Sequence, residues 1–208
     1  MAKGQNAATS YGSQGRQDLL QFDPERVSIL YDSRHPLYEK LMFNEFDIDI
    51  AKLPPGGEKH PCYDEEGAYL PLDVETMANI DLNGVLEPIA VRKNGERSPG
   101  SAIVETIYGR QRVKMLRAVN TARKKHGQPL YRIPAQIKKG DDAKIMGMWV
   151  SENAHRRITS PLANARNIQR FLDYGRTEAE AAIQFKLTVQ TVKANVSLLD
   201  LSPAVQKA

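Results

Sequence analysis

The sequence has little of what would commit it to several common kinds of protein. Cys62 is the single cysteine among 208 residues, which excludes an internal disulfide framework and fits a reducing compartment. No run of about 18 apolar residues occurs, so no membrane-spanning helix is expected. The opening MAKGQNAATSYGSQGRQD has no apolar segment of the kind that a secretory signal requires. These absences together give a cytoplasmic protein with no membrane partner as the expectation. No internal repeat is visible either. At 41% hydrophobic and 26% charged, the composition is that of one or two globular domains.

Charge is where the chain becomes informative. Residues 1–100 hold 10 Lys/Arg against 17 Asp/Glu, whereas residues 101–208 hold 19 against 8. A net of −7 therefore faces a net of +11, and the basic half is the expected polyanion-binding half. A solvated basic face with no partner is the plainer alternative.

Along the chain, residues 1–17 are rich in Gly, Ser, Gln and Asn and are expected to be disordered. Residues 18–69 form an acidic N-terminal extension whose apolar residues show no clean period, and no elements are assigned there. Within it, KLPPGGEKHPCYDEEG reads as a long loop. His60, Cys62 and Asp64 are metal-capable side chains in that loop, but no second cluster accompanies them, so a surface loop is the preferred reading.

Asp73 can cap a helix running to about Asn83, with Met77 and Ile80 inward and Gly84 closing it. The stretch VLEPIAVRK reads as a strand led by Pro88, followed by a turn at Asn94-Gly95 and a strand from Ala102 to Tyr108. A helix follows from Gly109 to near Gly127, with Val113, Leu116, Ala118 and Val119 inward, and then a short strand over Tyr131–Ile137. Asp141-Asp142 open a helix with Ile145, Met148 and Trp149 inward; its next inward position is Glu152. Beyond residue 157 the pattern is wholly helical. Thr159 or Ser160 caps a helix with Pro161 in its first turn, and Thr177 with Glu180 has capping-box spacing. Lys186-Leu187-Thr188 makes a tight turn into VQTVKANVSLL, the pattern of a helix-turn-helix. Ser202-Pro203 begin one more helix.

Two places carry chemistry. Gly109, Arg110, Gln111 and Arg112 put a glycine and two cations on the first turn of a helix, where the dipole already favours negative charge. The orphan amides of a helix start bind anions, glycine permits close approach, and guanidinium grips phosphate oxygens in pairs. A polyphosphate or a DNA phosphate would account for this arrangement; a plain strand-to-helix turn with solvated arginines is the alternative. The second place is WVSENAHRRITSP, where Glu152 and Asn153 are hard oxygen donors suited to Mg²⁺ and lie beside Arg156. An ordinary helix end with a Glu–Arg pair is its alternative.

Taken together, these segments resemble the ParB family of chromosome- and plasmid-partition proteins over about residues 70–208. NGVLEPIAV is similar to the family's G-L-L-Q-P-I-x-V, YGRQRVKML to G-E-R-R-x-x-A, SENAHRR to E-N-x-x-R, and LLDLSPAV to L-x-L-x-P-x-V. Each motif is weak alone, and four in order are strong. The HPCYDEEGAYLPLD lead-in looks more like the ParB-like proteins of phages and mobile elements.

The resemblance implies an α+β fold. A ParB/sulfiredoxin-like nucleotide-binding domain with a small mixed sheet would span residues 70–157, and an all-α helix-turn-helix domain would span residues 158–208. It implies a CTP-dependent, sequence-specific DNA clamp acting in partition or regulation, with CTP and Mg²⁺ as cofactors. The partners would be double-stranded DNA, a second copy in a clamp dimer, and a partition ATPase. Gly109, Arg110, Gln111 and Arg112 would cradle the triphosphate. Glu152, Asn153 and Arg156 would serve metal and phosphates, with Glu152 and Asn153 on the metal. Leu86, Glu87 and Pro88 would lie over the nucleotide, and Glu87 and Glu152 are the candidates for catalysing CTP hydrolysis. Thr188 would meet a DNA phosphate; Gln190, Thr191, Lys193, Ala194 and Asn195 are placed to reach base edges. The family's C-terminal dimerisation segment has no counterpart in the sequence.

Three departures stand out: Glu87 where the family has Gln, Arg110 and Gln111 in place of Glu and Arg, and Lys186 at a turn position where Gly is usual. Two alternatives remain open, a metal-dependent ParB-like nuclease using Glu152 and Asn153, and a helix-turn-helix regulator that uses no nucleotide. A sulfiredoxin-type repair enzyme is rejected, because that chemistry needs a cysteine in the phosphate loop and Cys62 lies elsewhere.

Overall fold

The computed structural model describes residues 19–30, 57–64, 70–93, 104–153 and 159–201. The 1–17 tail, the Asn94-Gly95 turn, Arg156 and the helix expected at Ser202-Pro203 lie outside these residues. The fold is α+β, as expected. Five strands, β1 (Leu20–Phe22), β2 (Val27–Ser28), β3 (Ile89–Lys93), β4 (Val104–Tyr108) and β5 (Ile133–Ile137), form one sheet in the order β1-β5-β3-β4-β2. β3 runs antiparallel to β4 and parallel to β5; β1 pairs antiparallel with β5 and β2 parallel with β4. Among the described residues there are six α-helices, α1 (Val74–Asn83), α2 (Arg110–Lys125), α3 (Asp142–Asn153), α4 (Pro161–Asp173), α5 (Glu178–Phe185) and α6 (Val189–Ser197).

The alternation of strand side chains divides the core in two. Ile89 and Val91 of β3 point to one face, with Val104, Ile133, Ile80 of α1 and Val113, Leu116 and Val119 of α2. Ala90 and Ile107 point to the other, where they meet Ile145, Met146, Trp149 and Val150 of α3. That second cluster continues without a break into Ile168 and Phe171 of α4, Ala181 and Ala182 of α5 and Val192 of α6. The helical layer thus sits on the sheet through α3. This explains a difference from the sequence reading of α3: Met148, expected inward, is half-buried, while Met146, Gly147 and Val150 are buried. A helix packed on two sides has no single apolar stripe. Gly147 leaves room for α5, since Gln184 Nε2 of α5 donates to the Gly147 carbonyl at 2.9 Å.

Local chemistry sets the element ends. Asp73, Ser160, Thr177 and Thr188 cap α1, α4, α5 and α6, and Thr177 with Glu180 forms a complete capping box. Between α5 and α6, Lys186 takes the left-handed conformation (φ 56°, ψ 43°) that the tight turn demands. β1 and β2 were not read from the sequence. They are short edge strands, and β2 is followed by buried Ile29 and Leu30, whose partners are distant in sequence.

Candidate functional site

Gly109 ends β4 and opens α2 with φ 93° and ψ 21°. A Cβ there would also come within 2.5 Å of Ile89 Cγ2, so the packing of the turn on β3 requires glycine with or without a ligand. The first turn of α2 has neither a capping side chain nor an acidic residue, in contrast to the four helices above. Its amides and two arginines therefore form a positive corner at the C-terminal end of β4.

The two arginines diverge from this corner. Arg112 donates from Nη1 to the Pro88 carbonyl at 3.1 Å and from Nη2 to Glu87 Oε2 at 2.6 Å. The same Nη2 stands 4.0 Å from Glu152 Oε1 at the end of α3. Three segments far apart in sequence, 87–88, 109–112 and 152, thus meet on one guanidinium. Arg110 points elsewhere and donates from Nη2 to Asp64 Oδ2 at 2.7 Å. Asp64 in turn lines a small cavity with Tyr63, Trp149, Asn153, Thr159, Arg166, Asn167 and Arg170, between the end of α3 and the start of α4. Gln111 reaches the Leu70 carbonyl at 3.5 Å.

Glu152 and Asn153, expected to share a metal, face different cavities. Glu152 lines a groove of about 910 Å³ with Lys138, Lys144, Arg176 and Gln184, while Asn153 donates from Nδ2 to the Trp149 carbonyl at 3.0 Å and faces the Asp64 cavity. Consecutive helical residues diverge by about 100°, and the two side chains accordingly line different sides of the end of α3. Among the described residues no group of three or more His, Cys, Asp and Glu is placed to hold a metal.

The loop residues His60, Cys62 and Asp64 have structural roles instead. His60 Nδ1 accepts from the Cys62 amide at 3.1 Å, and its Nε2 pairs with buried Glu105. Glu105 also receives Arg92 Nε at 2.7 Å, and Arg92 reaches Asp142 at 2.6 Å, which ties β3, β4 and the start of α3 together. Burial, followed by the nearby Glu105 carboxylate, pushes the Cys62 thiol up to about 12, so it is a neutral thiol at neutral pH. From α4, buried Arg170 donates from Nη1 to the carbonyls of His60 and Tyr63 at 3.2 and 3.1 Å and lies over the Tyr63 ring at 5.0 Å. Arg170 was missed in the sequence; its spacing from Ala163 and Asn167 (i, i+4, i+7) puts it on the inward face, a signal that was available.

Leu86 is 73% exposed, as are Leu82 (78%) and Val74 (73%) at the two ends of α1. On the helical layer, Gln190, Thr191 and Lys193 are exposed on α6. Lys193 Nζ lies 3.3 Å from Glu178 Oε2 of α5. The Thr188 hydroxyl accepts from the Thr191 amide at 3.1 Å as helix cap. Asn195 turns inward: its Oδ1 accepts from Asn164 of α4 at 3.4 Å and its Nδ2 donates to the Thr191 carbonyl at 2.8 Å.

No family model matches the chain. Among curated proteins it is similar to the chromosome-partitioning protein Spo0J of Thermus thermophilus, with 27% identity over 134 residues, which is 64% of this chain and 44% of that protein. It is also similar to a probable plasmid-partitioning protein ParB of Xylella fastidiosa, with 34% identity over 99 residues, 48% of this chain and 21% of that protein. The chain thus matches less than half the length of either relative. Two solved structures of C-terminally truncated ParB from Caulobacter crescentus overlap it in part. The complex with the centromeric parS site gives TM-score 0.44 at 21% identity, covering 66% of this chain and 67% of that one. The complex with CTP-gamma-S gives TM-score 0.34 at 17% identity, covering 91% and 83%. The chain is thus similar to two named partition proteins, over 134 and 99 residues.

Proposed function

We propose that this chain is a ParB-type, sequence-specific DNA-binding protein whose hold on DNA is switched by CTP. The observation that carries this reading is the convergence at Arg112, which brings the Glu87-Pro88 strand entry, the Gly109 turn and Glu152 to one guanidinium. The resemblance gives these three segments to a single nucleotide, and separation of them in space would have ended the reading. The positive corner at the start of α2 supplies amides and guanidinium groups for the phosphates. Asn153 and Arg166 line the cavity beside Asp64, on the Arg110 side of that corner. Mg²⁺ would screen the phosphate charge, with Glu152 as its protein carboxylate, and any hydrolysis would draw on Glu152 and Glu87. The exposed residues Gln190, Thr191 and Lys193 of α6 would face DNA, and a second copy of the chain would complete the clamp.

Isothermal titration of the full chain with CTP, GTP, ATP and UTP, with Mg²⁺ and with or without DNA, tests the switch. Binding that prefers CTP and is lost in Arg112→Ala supports it; equal binding of all four, or none, sinks it. One observation favours the nucleotide-free regulator: Arg110 and Arg112 already hold carboxylate partners within the chain. Under that reading DNA binding ignores every nucleotide in the same titration.

A further inference from the structure

The carboxylate of Asp64 sits on a guanidinium that the proposed reading assigns to phosphate. Arg110 Nη2 and Asp64 Oδ2 are 2.7 Å apart, with side chains 12% and 17% exposed. A carboxylate and a phosphate offer guanidinium the same chemistry, two anionic oxygens in one plane. The two therefore compete for the same donors.

Asp64 is not a stray surface acid, because the segment that presents it is fixed at several points. His60 Nδ1 is committed as acceptor to the Cys62 amide, and its Nε2 is committed to Glu105. Arg170 holds the carbonyls of His60 and Tyr63, and the Tyr174 hydroxyl, just past α4, donates to the Lys59 carbonyl. This anchored backbone delivers the carboxylate to the wall of the cavity that Asn153 and Arg166 also line.

We propose that Asp64 is a built-in competitor of the nucleotide: its carboxylate holds Arg110 in the empty site, and the triphosphate binds by displacing it. The proposal rests on the nucleotide reading above. The measured affinity is then the intrinsic affinity reduced by the fraction of molecules in which Arg110 is open. Displacement of Asp64 from Arg110 also leaves the 57–64 segment with one anchor fewer, its hold by Arg170 and Tyr174 remaining.

Titration of CTP with Mg²⁺ into the full chain, Asp64→Asn, Arg110→Ala and the double variant tests the proposal. Asp64→Asn keeps the shape and removes the charge, and it is expected to tighten CTP binding about tenfold, as if Arg110 were open in roughly one molecule in ten. In the Arg110→Ala background the same change is expected to bring no gain. A gain that survives there marks a diffuse charge effect and overturns the proposal, as does unchanged or weaker binding by Asp64→Asn. If Asp64→Asn does not fold, hydrogen exchange of the unaltered protein decides. Peptides covering residues 57–64 should exchange faster at saturating CTP, and unchanged or slower exchange refutes displacement. Absence of CTP binding in every form, Asp64→Asn included, removes the nucleotide reading itself, whereas binding without the Asp64 effect removes only the competitor.

Discussion

Gly109 answers to two constraints at once, a left-handed backbone and contact with Ile89. Alanine there meets a conformational cost of about 1–2 kcal/mol and an overpacking cost of about 1–3 kcal/mol. Gly109→Ala is therefore expected to lower the thermal midpoint by several degrees in ligand-free protein, read by circular dichroism. A melting curve unchanged from the parent would show that the turn relaxes and that the glycine serves only a ligand. Cys62 makes a second test at this scale. Its thiol is held neutral by burial and by the Glu105 carboxylate, while the unfolded chain ionises it near pH 9. Because the folded value is raised, stability is unaffected by this group below about pH 9 and falls as pH climbs from 9 toward 12. At pH 10 one such thiol removes on the order of 1 kcal/mol. Denaturant midpoints at pH 8 and pH 10 should therefore separate more in the parent than in Cys62→Ala. Native Cys62 should also resist a thiol reagent at pH 8 until the protein unfolds.

The turn between α5 and α6 depends on Lys186 at φ 56°, a conformation that costs a residue with a Cβ roughly 1 kcal/mol. Lys186→Gly should relieve much of that and raise the midpoint by a few degrees; a drop would mean that unfolded-chain entropy outweighs the relief. This turn was legible in the sequence because its chemistry is local. Capping residues, the capping box and the three-residue spacing all lie within a few positions of one another. The same holds for α1, α2 and α4, and for the glycine-arginine corner as a motif. What the sequence hid was non-local. β1 and β2 are short edge strands whose pairing with β5 and β4 follows from contacts more than 70 residues away. The 57–64 segment has no period at all, since it is held by Glu105, Arg110 and Arg170, which lie on three different elements. Arg112 meeting both Glu87 and Glu152 is likewise invisible along the chain, although each of the three had been singled out. That Glu152 and Asn153 line different cavities follows from a simpler rule: neighbours on a helix point apart.

At the scale of the molecule, the basic half of the sequence contributes α6, whose exposed residues divide into two kinds. Gln190 carries an amide able to read a base edge in pairs of hydrogen bonds, whereas Lys193 carries a point charge. Among the described residues Lys193 pairs with Glu178, and both side chains are well exposed, at 63% and 46%, so the pair yields readily to a phosphate. The two substitutions should therefore fail differently. Lys193→Ala is expected to weaken specific and non-specific DNA alike and to lower the slope of log K against log salt by about 0.9, one phosphate's worth of released counterion. Gln190→Ala should leave that slope unchanged and cost about 1–3 kcal/mol on the specific site alone. Fluorescence anisotropy at several salt concentrations, with the specific site and a scrambled duplex, reads both quantities. If Gln190→Ala and Lys193→Ala change neither affinity nor slope, α6 is a packing helix and the DNA surface lies elsewhere. If both variants change only the slope, the helix touches DNA through its backbone and sequence is read by other residues.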